Sequence, residues 1–369
     1  MPDLDQIMDH VQHRIHAVNP FQSRAQPSPT LLTTYRILTP LALIVALIPA
    51  IHYTITSPRA GAHPSHRSIW HQNDAHPTPF ALFSPLTATY WLLLYLLQAG
   101  YCTQLYTRFG GSSSSSHTSS NSNSNSHCNS TSHSNSNSHD DTATATNVSA
   151  AMIGLAPHVV AHLLLHLVFV HLWCRGLMAI AEVALMLDFA NLGVGYARFP
   201  FPARGLGRGR GGGGGGGGCA GGGDGGGRAR LVHAAALAGP LAWVFVALFW
   251  CGAAMLGAHS VGARLFANLA IWLWLLFGGF FVIGYRDYIL GFSLSVLSAA
   301  LGIQQLLIKV LALQWIFAFV VMGLLSVAST AMAGIDIAAV TKKMTNGETN
   351  THHITGETAP LLRDGSVDI

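Results

Sequence analysis

The chain has 369 residues, half of them hydrophobic and only 9% charged, where an ordinary soluble domain carries about a quarter charged residues. Too little charge is present to cover a water-facing surface, which excludes a soluble globular protein. A formal charge of +4 scattered along the chain also excludes the concentrated basic footprint of a nucleic-acid-binding protein.

In residues 4–18, Leu4, Ile7, Val11, Ile15 and Val18 fall on one helical face beside His10, His13 and His16. The pattern predicts a short amphipathic helix on the membrane surface within a cytosolic segment 1–30, with metal capture by the histidines as the alternative. Asn19-Pro20-Phe21 resembles the tripeptide bound by endocytic EH domains. The first apolar run begins about 36 residues in without a small-residue cleavage site, so it reads as a retained span.

Apolar runs of about 20 residues, enough to cross a hydrocarbon layer of roughly 30 Å, predict eight spans. They lie near 37–56, 84–106, 154–173, 177–197, 236–257, 266–284, 288–308 and 310–334. The fold class is therefore all-α, a polytopic transmembrane bundle over residues 31–340, because a lipid-exposed backbone must satisfy its own hydrogen bonds. Pro40, Pro85, Pro157 and Pro240 are each expected at a span's first turn, where the missing N–H costs nothing. Gln304, Gln305 and Lys309 supply the polar reversal between the last two spans.

Between the first two spans, His63, His66, His71 and His76 stand with Trp70 and Asp74. A polar loop is the plain reading, and a divalent-metal site the alternative. Residues 110–150 form a Ser/Asn/His tract and 204–228 a Gly/Arg tract, and neither composition packs a core. Both read as flexible cytosolic loops, and 341–369 reads as a disordered cytosolic tail. In that tail, Glu357, Leu361 and Leu362 resemble an acidic di-leucine signal, which implies cytosolic adaptor proteins as partners besides the lipid bilayer. The expected location is an endosomal or vacuolar membrane. With the N-terminus in the cytosol, fourteen of the nineteen Lys and Arg residues fall on the cytosolic side, which places both termini there. The sequons at Asn129 and Asn147 should then stay unmodified.

Ionisable residues within a span cost about 2.5–3.5 kcal/mol at mid-helix, so each needs a reason. His158, His162 and His166 recur at intervals of four in the third span, on one face, and the fourth span carries Glu182 and Asp188. A short turn at Arg175 makes these two spans an antiparallel hairpin. Asp188 then falls level with His162, and Glu182 near His166. Such a level can fasten two helices together, relay a proton, or hold a metal. Arg286 and Asp287 are expected in solvent at a tight turn. Gly291, Ser295 and Ala299 on the seventh span, and Ser326, Thr330 and Gly334 on the eighth, are expected to permit close packing. ThrProLeuAla at 39–42 and GlyProLeuAla at 239–242, each followed by ValAlaLeu, suggest two parallel four-span halves.

The strings TyrArgIleLeuThrProLeuAla (35–42), HisProThrProPhe (76–80), GlyProLeuAlaTrpValPheValAlaLeuPheTrp (239–250), AspTyrIleLeuGlyPhe (287–292) and LeuGlnTrpIlePheAlaPhe (313–319) resemble, as a set, a fungal family of multi-span membrane proteins catalogued as a domain of unknown function. The resemblance runs from about residue 19 to 335, outside the two low-complexity tracts, and implies the multi-span fold but no activity.

No catalytic arrangement and no cofactor fingerprint appears in the spans. Five cysteines without paired spacing give no disulfide framework or zinc knuckle. Small-solute or proton-coupled transport is the active reading. A non-catalytic membrane organiser or trafficking adaptor is the alternative.

Overall fold

The computed structural model describes residues 29–55, 68–110, 138–199, 230–258, 260–308 and 313–351. All the elements among them are helices: α1 Pro29–Ile55, α2 Ile69–Ala75, α3 Ser84–Gly110, α4 Ser138–Cys174, α5 Met178–Arg198, α6 Arg230–Met255, α7 Val261–Gly284, α8 Tyr288–Ile308 and α9 Leu313–Thr351. The eight long helices fall on the eight expected spans. Seven of them are long and apolar enough to cross a membrane. The other, α3, has the length, but Thr87, Thr89, Gln98, Thr103, Gln104 and Arg108 dilute its apolar character.

α6 is the axis of the bundle. Thirteen of the seventeen residues of Gly239–Met255 are buried, against α3, α5 and α8. Around it, α1 packs on α4, α4 on α5, α8 on α9, and α9 on α7. The outer faces carry Ile48, Leu269, Leu276 and Val327, each more than 60% exposed. An outward apolar face of this kind suits lipid and would be untenable in water.

Glycines in the left-handed conformation close two helices. At the end of α4, Gly176 (φ 75°) lets Leu177 N–H reach Leu172 O. At the end of α6, Gly257 (φ 58°) lets Ala258 N–H reach Ala253 O. Ser68 caps α2, and Ser260 caps α7.

The prolines divide. Pro85 is the second residue of α3, but Pro40 and Pro157 lie inside longer helices than expected. α4 begins at Ser138, within the Ser/Asn/His tract, and α9 runs to Thr351, into the expected tail. Pro240 follows a π-helical turn at Ala234–Ala238. A wide turn there relieves the clash that the proline ring would make with the carbonyl four residues back. Gly239 accommodates the crowding, since a Cβ there would come within 2.6 Å of Leu94. A second π-helical turn, Phe280–Gly284, ends α7.

The segment from Ser68 to Phe83 is more than a polar loop. Ile69, Gln72, Asn73, Thr78, Phe80 and Leu82 are buried, and the segment plugs one end of the bundle. Trp250 Nε1 donates to Asn73 Oδ1 at 2.9 Å, Asn73 Nδ2 to Leu82 O at 3.2 Å, and Trp173 Nε1 to Ile69 O at 3.3 Å. Gln305 and Gln314, read as a reversal signal and part of an apolar string, donate their amides to Thr78 O and Pro79 O.

The ends of α4, α6 and α8 and the start of α9 therefore share the plugged end, where Tyr53 of α1 also meets His171 of α4 at 3.2 Å. The start of α1 and the Asp336 region of α9 consequently lie at the opposite end together. The proposed halves agree only in part. The third and fourth spans pair closely, as do the seventh and eighth, and the first lies on the third as the fifth lies on the seventh. The first also packs along the second, whereas the fifth and sixth meet through large side chains such as Phe245 on Phe277. The α8–α9 seam uses Gly291, Ser295 and Ser326 as expected, with Ser295 and Ser326 hydroxyls 2.6 Å apart. Its second position on α9 is Ser329, against Gly291; Thr330 is exposed, and a Cβ at Gly334 would meet open space.

Asn73→Ala should uncouple the plug, leaving Trp250 Nε1–H and Leu82 O buried without partners. At about 1–3 kcal/mol per stranded group, the purified protein in detergent should melt several degrees lower.

Candidate functional site

The α4–α5 hairpin brings the expected side chains together where four-residue spacing on one helix faces four-residue spacing on the other. His162 Nδ1 lies 2.8 Å from Asp188 Oδ2, with the residues 2% and 1% exposed. One turn away, His158 Nδ1 is 2.9 Å from Asn191 Oδ1, and Asn191 Nδ2 returns a 2.9 Å bond to His158 O. Arg198 Nη1 faces His158 Nε2 at 3.5 Å. A guanidinium only donates, so Nε2 accepts and Nδ1 is the nitrogen that donates to Asn191. Asn191 also lies against Asp188.

His166 continues the ladder one turn further. Its ring stacks on His162 at 5.8 Å and is met edge-on by Trp91 of α3 and Trp243 of α6. Glu182, expected near the depth of His166, does not face it. It turns instead toward α6, where it lies against the Cys251 thiol, and a Cβ at Gly252 would sit 3.4 Å from its Oε1. Cys251 Sγ donates to Met178 O at 3.6 Å. The result is a line of ionisable groups along the hairpin: Arg198, His158, the His162–Asp188 pair, then His166. Three buried atoms near this line, Asp188 Oδ1, His166 Nδ1 and Glu182 Oε2, have no hydrogen-bond partner in the protein.

Other expected positions do not join. Among the described residues, no three His, Cys, Asp or Glu side chains are grouped to hold a metal ion. In the first loop His71 is exposed on α2, while His76 sits 3.4 Å from Gln72. His63 and His66, the 4–18 helix, Asn19-Pro20-Phe21, the Gly/Arg tract and the sorting residues Glu357, Leu361 and Leu362 lie outside the described residues.

A second polar centre was not legible from spacing. Asp287, expected in solvent, is fully buried. Its Oδ2 accepts from Tyr196 Oη and faces His233 Nε2, both at 2.9 Å, and its Oδ1 accepts the Ile289 and Leu290 N–H groups at 3.1 Å. The carboxylate thus caps α8 while joining α5 and α6. Beside it, Arg230 donates to Tyr288 Oη at 2.9 Å and Asp336 Oδ2 at 3.1 Å. Both π-helical turns border this centre, one starting next to His233 and the other ending three residues before Asp287. The available signal was an Asp immediately before an apolar helical run, which is a helix-cap pattern. Arg286, with φ 56°, makes the turn that presents it.

Asp287→Ala should strip four donors of their acceptor at once. The expected loss is roughly 3–5 kcal/mol, the range for removing one partner of a buried pair, read as a lowered melting temperature in detergent. Asp287→Asn retains an oxygen acceptor for the cap and should lose less.

Residues 264–362 match the family described as "Fungal protein of unknown function (DUF1774)". That stretch takes in most of α7, all of α8 and α9, and Asp287 and Asp336, but not the α4–α5 hairpin. An uncharacterized protein of Schizosaccharomyces pombe is 30% identical over 128 residues, covering 35% of this chain and 43% of the relative. The chain thus spans less than half the length of the curated relative it matches. No solved structure matches the chain. Over its last three helices and the residues beyond them, this multi-span chain is similar to a fungal family to which no function is attached.

Proposed function

We propose that the chain is a proton-coupled transporter of a small solute, with the α4–α5 hairpin as its proton path. The observation that carries this reading is the buried His162–Asp188 bond of 2.8 Å at mid-span, in register with His158 and His166 and with Asp188 Oδ1 unpartnered. A carboxylate at this depth is expensive. A purely structural fastener of two helices would be served at lower cost by a neutral pair such as the His158–Asn191 bond one turn away.

Imidazole both donates and accepts hydrogen bonds, so one ring can take up a proton on one nitrogen and release one from the other. Residues four apart rise about 6 Å along a helix, so three histidines step a proton over roughly 12 Å, from the Arg198 end toward His166. Between stacked rings 5.8 Å apart, a ring rotation or one intervening water spans the gap. Asp188 balances the charge while the proton rests on His162.

Asp188→Asn tests this. The amide oxygen still accepts from His162 Nδ1–H, so the helix contact survives while the titratable carboxylate is gone. In proteoliposomes with an inward proton gradient and a pH dye inside, the wild type should acidify the lumen at least tenfold faster than the variant. Equal rates, with both proteins folded, would sink the proposal.

The reading includes an endosomal or vacuolar membrane with both termini in the cytosol. The shared side of the two termini is supported by the common bundle end of the start of α1 and the Asp336 region of α9, and its cytosolic sense by Arg198, Arg230 and Arg286 at that same end. The membrane-organiser alternative draws on the two tails, Asn19-Pro20-Phe21 and Glu357, Leu361 and Leu362. Replacing Leu361 and Leu362 together by alanine should shift a fluorescently tagged protein to the cell surface; an unchanged distribution would remove the sorting role.

A further inference from the structure

We infer that the aromatic cluster around His166 is a binding site for a small carboxylate; this rests on the transport reading and names its substrate class. The His166 ring centre lies 5.2 Å from Trp91, 6.3 Å from Trp243, 6.4 Å from Tyr95 and 6.0 Å from Phe169, and Trp91 lies 4.9 Å from Trp243. Three helices supply these groups. Trp91 and His166 are 5% exposed, and Trp243 is 1% exposed.

The polar atoms of this cluster set it apart. Trp91 Nε1, Trp243 Nε1, Tyr95 Oη and His166 Nδ1 are all buried without a hydrogen-bond partner in the protein. Of the neighbouring indoles, Trp173 and Trp250 donate to Ile69 O and Asn73 Oδ1, while Trp274 Nε1, packed against Phe80 and Phe249, also lacks a partner but stands alone. Four orphans on His166 and the side chains that meet it are too many to leave unanswered, since a buried polar group almost always has a partner. An edge-on indole can rest its N–H on a neighbouring ring, as the 87° Trp91–Trp243 arrangement would allow for one of the two. That contact is weak compared with a bond to oxygen.

Donor type selects the ligand. Indole N–H donates and never accepts, so the partner presents acceptors, and charged oxygen acceptors make the strongest such bonds. A carboxylate has two oxygens to divide among Trp91, Trp243 and Tyr95. Its negative charge needs compensation in this interior, and a proton delivered along the ladder to His166 supplies it. Solute and proton then occupy the site as a neutral pair, which is the condition for carrying an anion through the bundle.

The test uses the full-length protein in detergent, with radiolabelled lactate and succinate as probes and radiolabelled choline as the cation counter-probe, read by scintillation proximity. Saturable binding of at least one carboxylate is expected, with choline inert. Tyr95→Phe, which removes only a hydroxyl, should weaken binding roughly tenfold, the effect of one bond to a charged group. The Trp91→Phe/Trp243→Phe double variant should abolish it. Absence of saturable carboxylate binding, wild-type binding by Tyr95→Phe and the double variant, or binding of choline instead would each overturn the site. If the wild type nonetheless acidifies proteoliposomes in an Asp188-dependent way, only the carboxylate assignment falls; if it does not, the transport reading falls with it.

Discussion

Everything in this molecule answers to the poverty of hydrogen-bonding partners in a hydrocarbon layer. A polar group that leaves water on insertion must find its partner within the chain. The backbone does so by becoming helix. The side chains do so by meeting across helices, and the pairings are specific: Asp188 with His162, Asn191 with His158, Asp287 with His233 and Tyr196, Asn73 with Trp250. Apolar packing against lipid gains little, because lipid tails are as apolar as leucine. These polar contacts, together with close seams such as that at Gly291 and Ser295, therefore determine which helix faces which.

Much of this was readable from the amino-acid order. Runs of apolar residues give the eight helices, since length and hydropathy are properties of single segments. The His162–Asp188 level was legible for a related reason: a turn as short as Arg175–Leu177 leaves two helices one way to lie, and depth follows from counting. Glu182 shows where counting stops. Depth placed it near His166, but rotation about the helix axis, set by packing against α6, turned it toward Cys251 and Gly252.

Asp287 and the plug were less legible because both depend on contacts distant in sequence. A charged residue at a turn ordinarily belongs to solvent, and only the convergence of α5 and α6 on the start of α8 buries this one. The histidine-rich loop looked polar by composition, yet its interior residues Ile69, Asn73 and Thr78 meet indoles and amides that lie more than a hundred positions further along. Pro240 was expected at a first turn; it heads the regular segment Gly239–Met255 but lies inside α6, and no spacing rule announces the π-helical turn that precedes it. The two polar centres differ in one respect that bears on chemistry. Asp287 has all its oxygen capacity engaged, which suits a fixed joint, whereas Asp188 keeps one oxygen uncommitted.

The plug also imposes an order on biogenesis. Its seat includes Gln305 and Gln314, which follow Thr78 and Pro79 by 227 and 235 positions. At synthesis rates of about 5–20 residues per second, the first loop waits some 10–50 s before those amides emerge from the ribosome. Ile69, Phe80 and Leu82 must be shielded through that interval by something other than their final neighbours. The earliest part of the chain to leave the membrane is thus among the last to reach its native position, and its docking marks completion of the whole bundle.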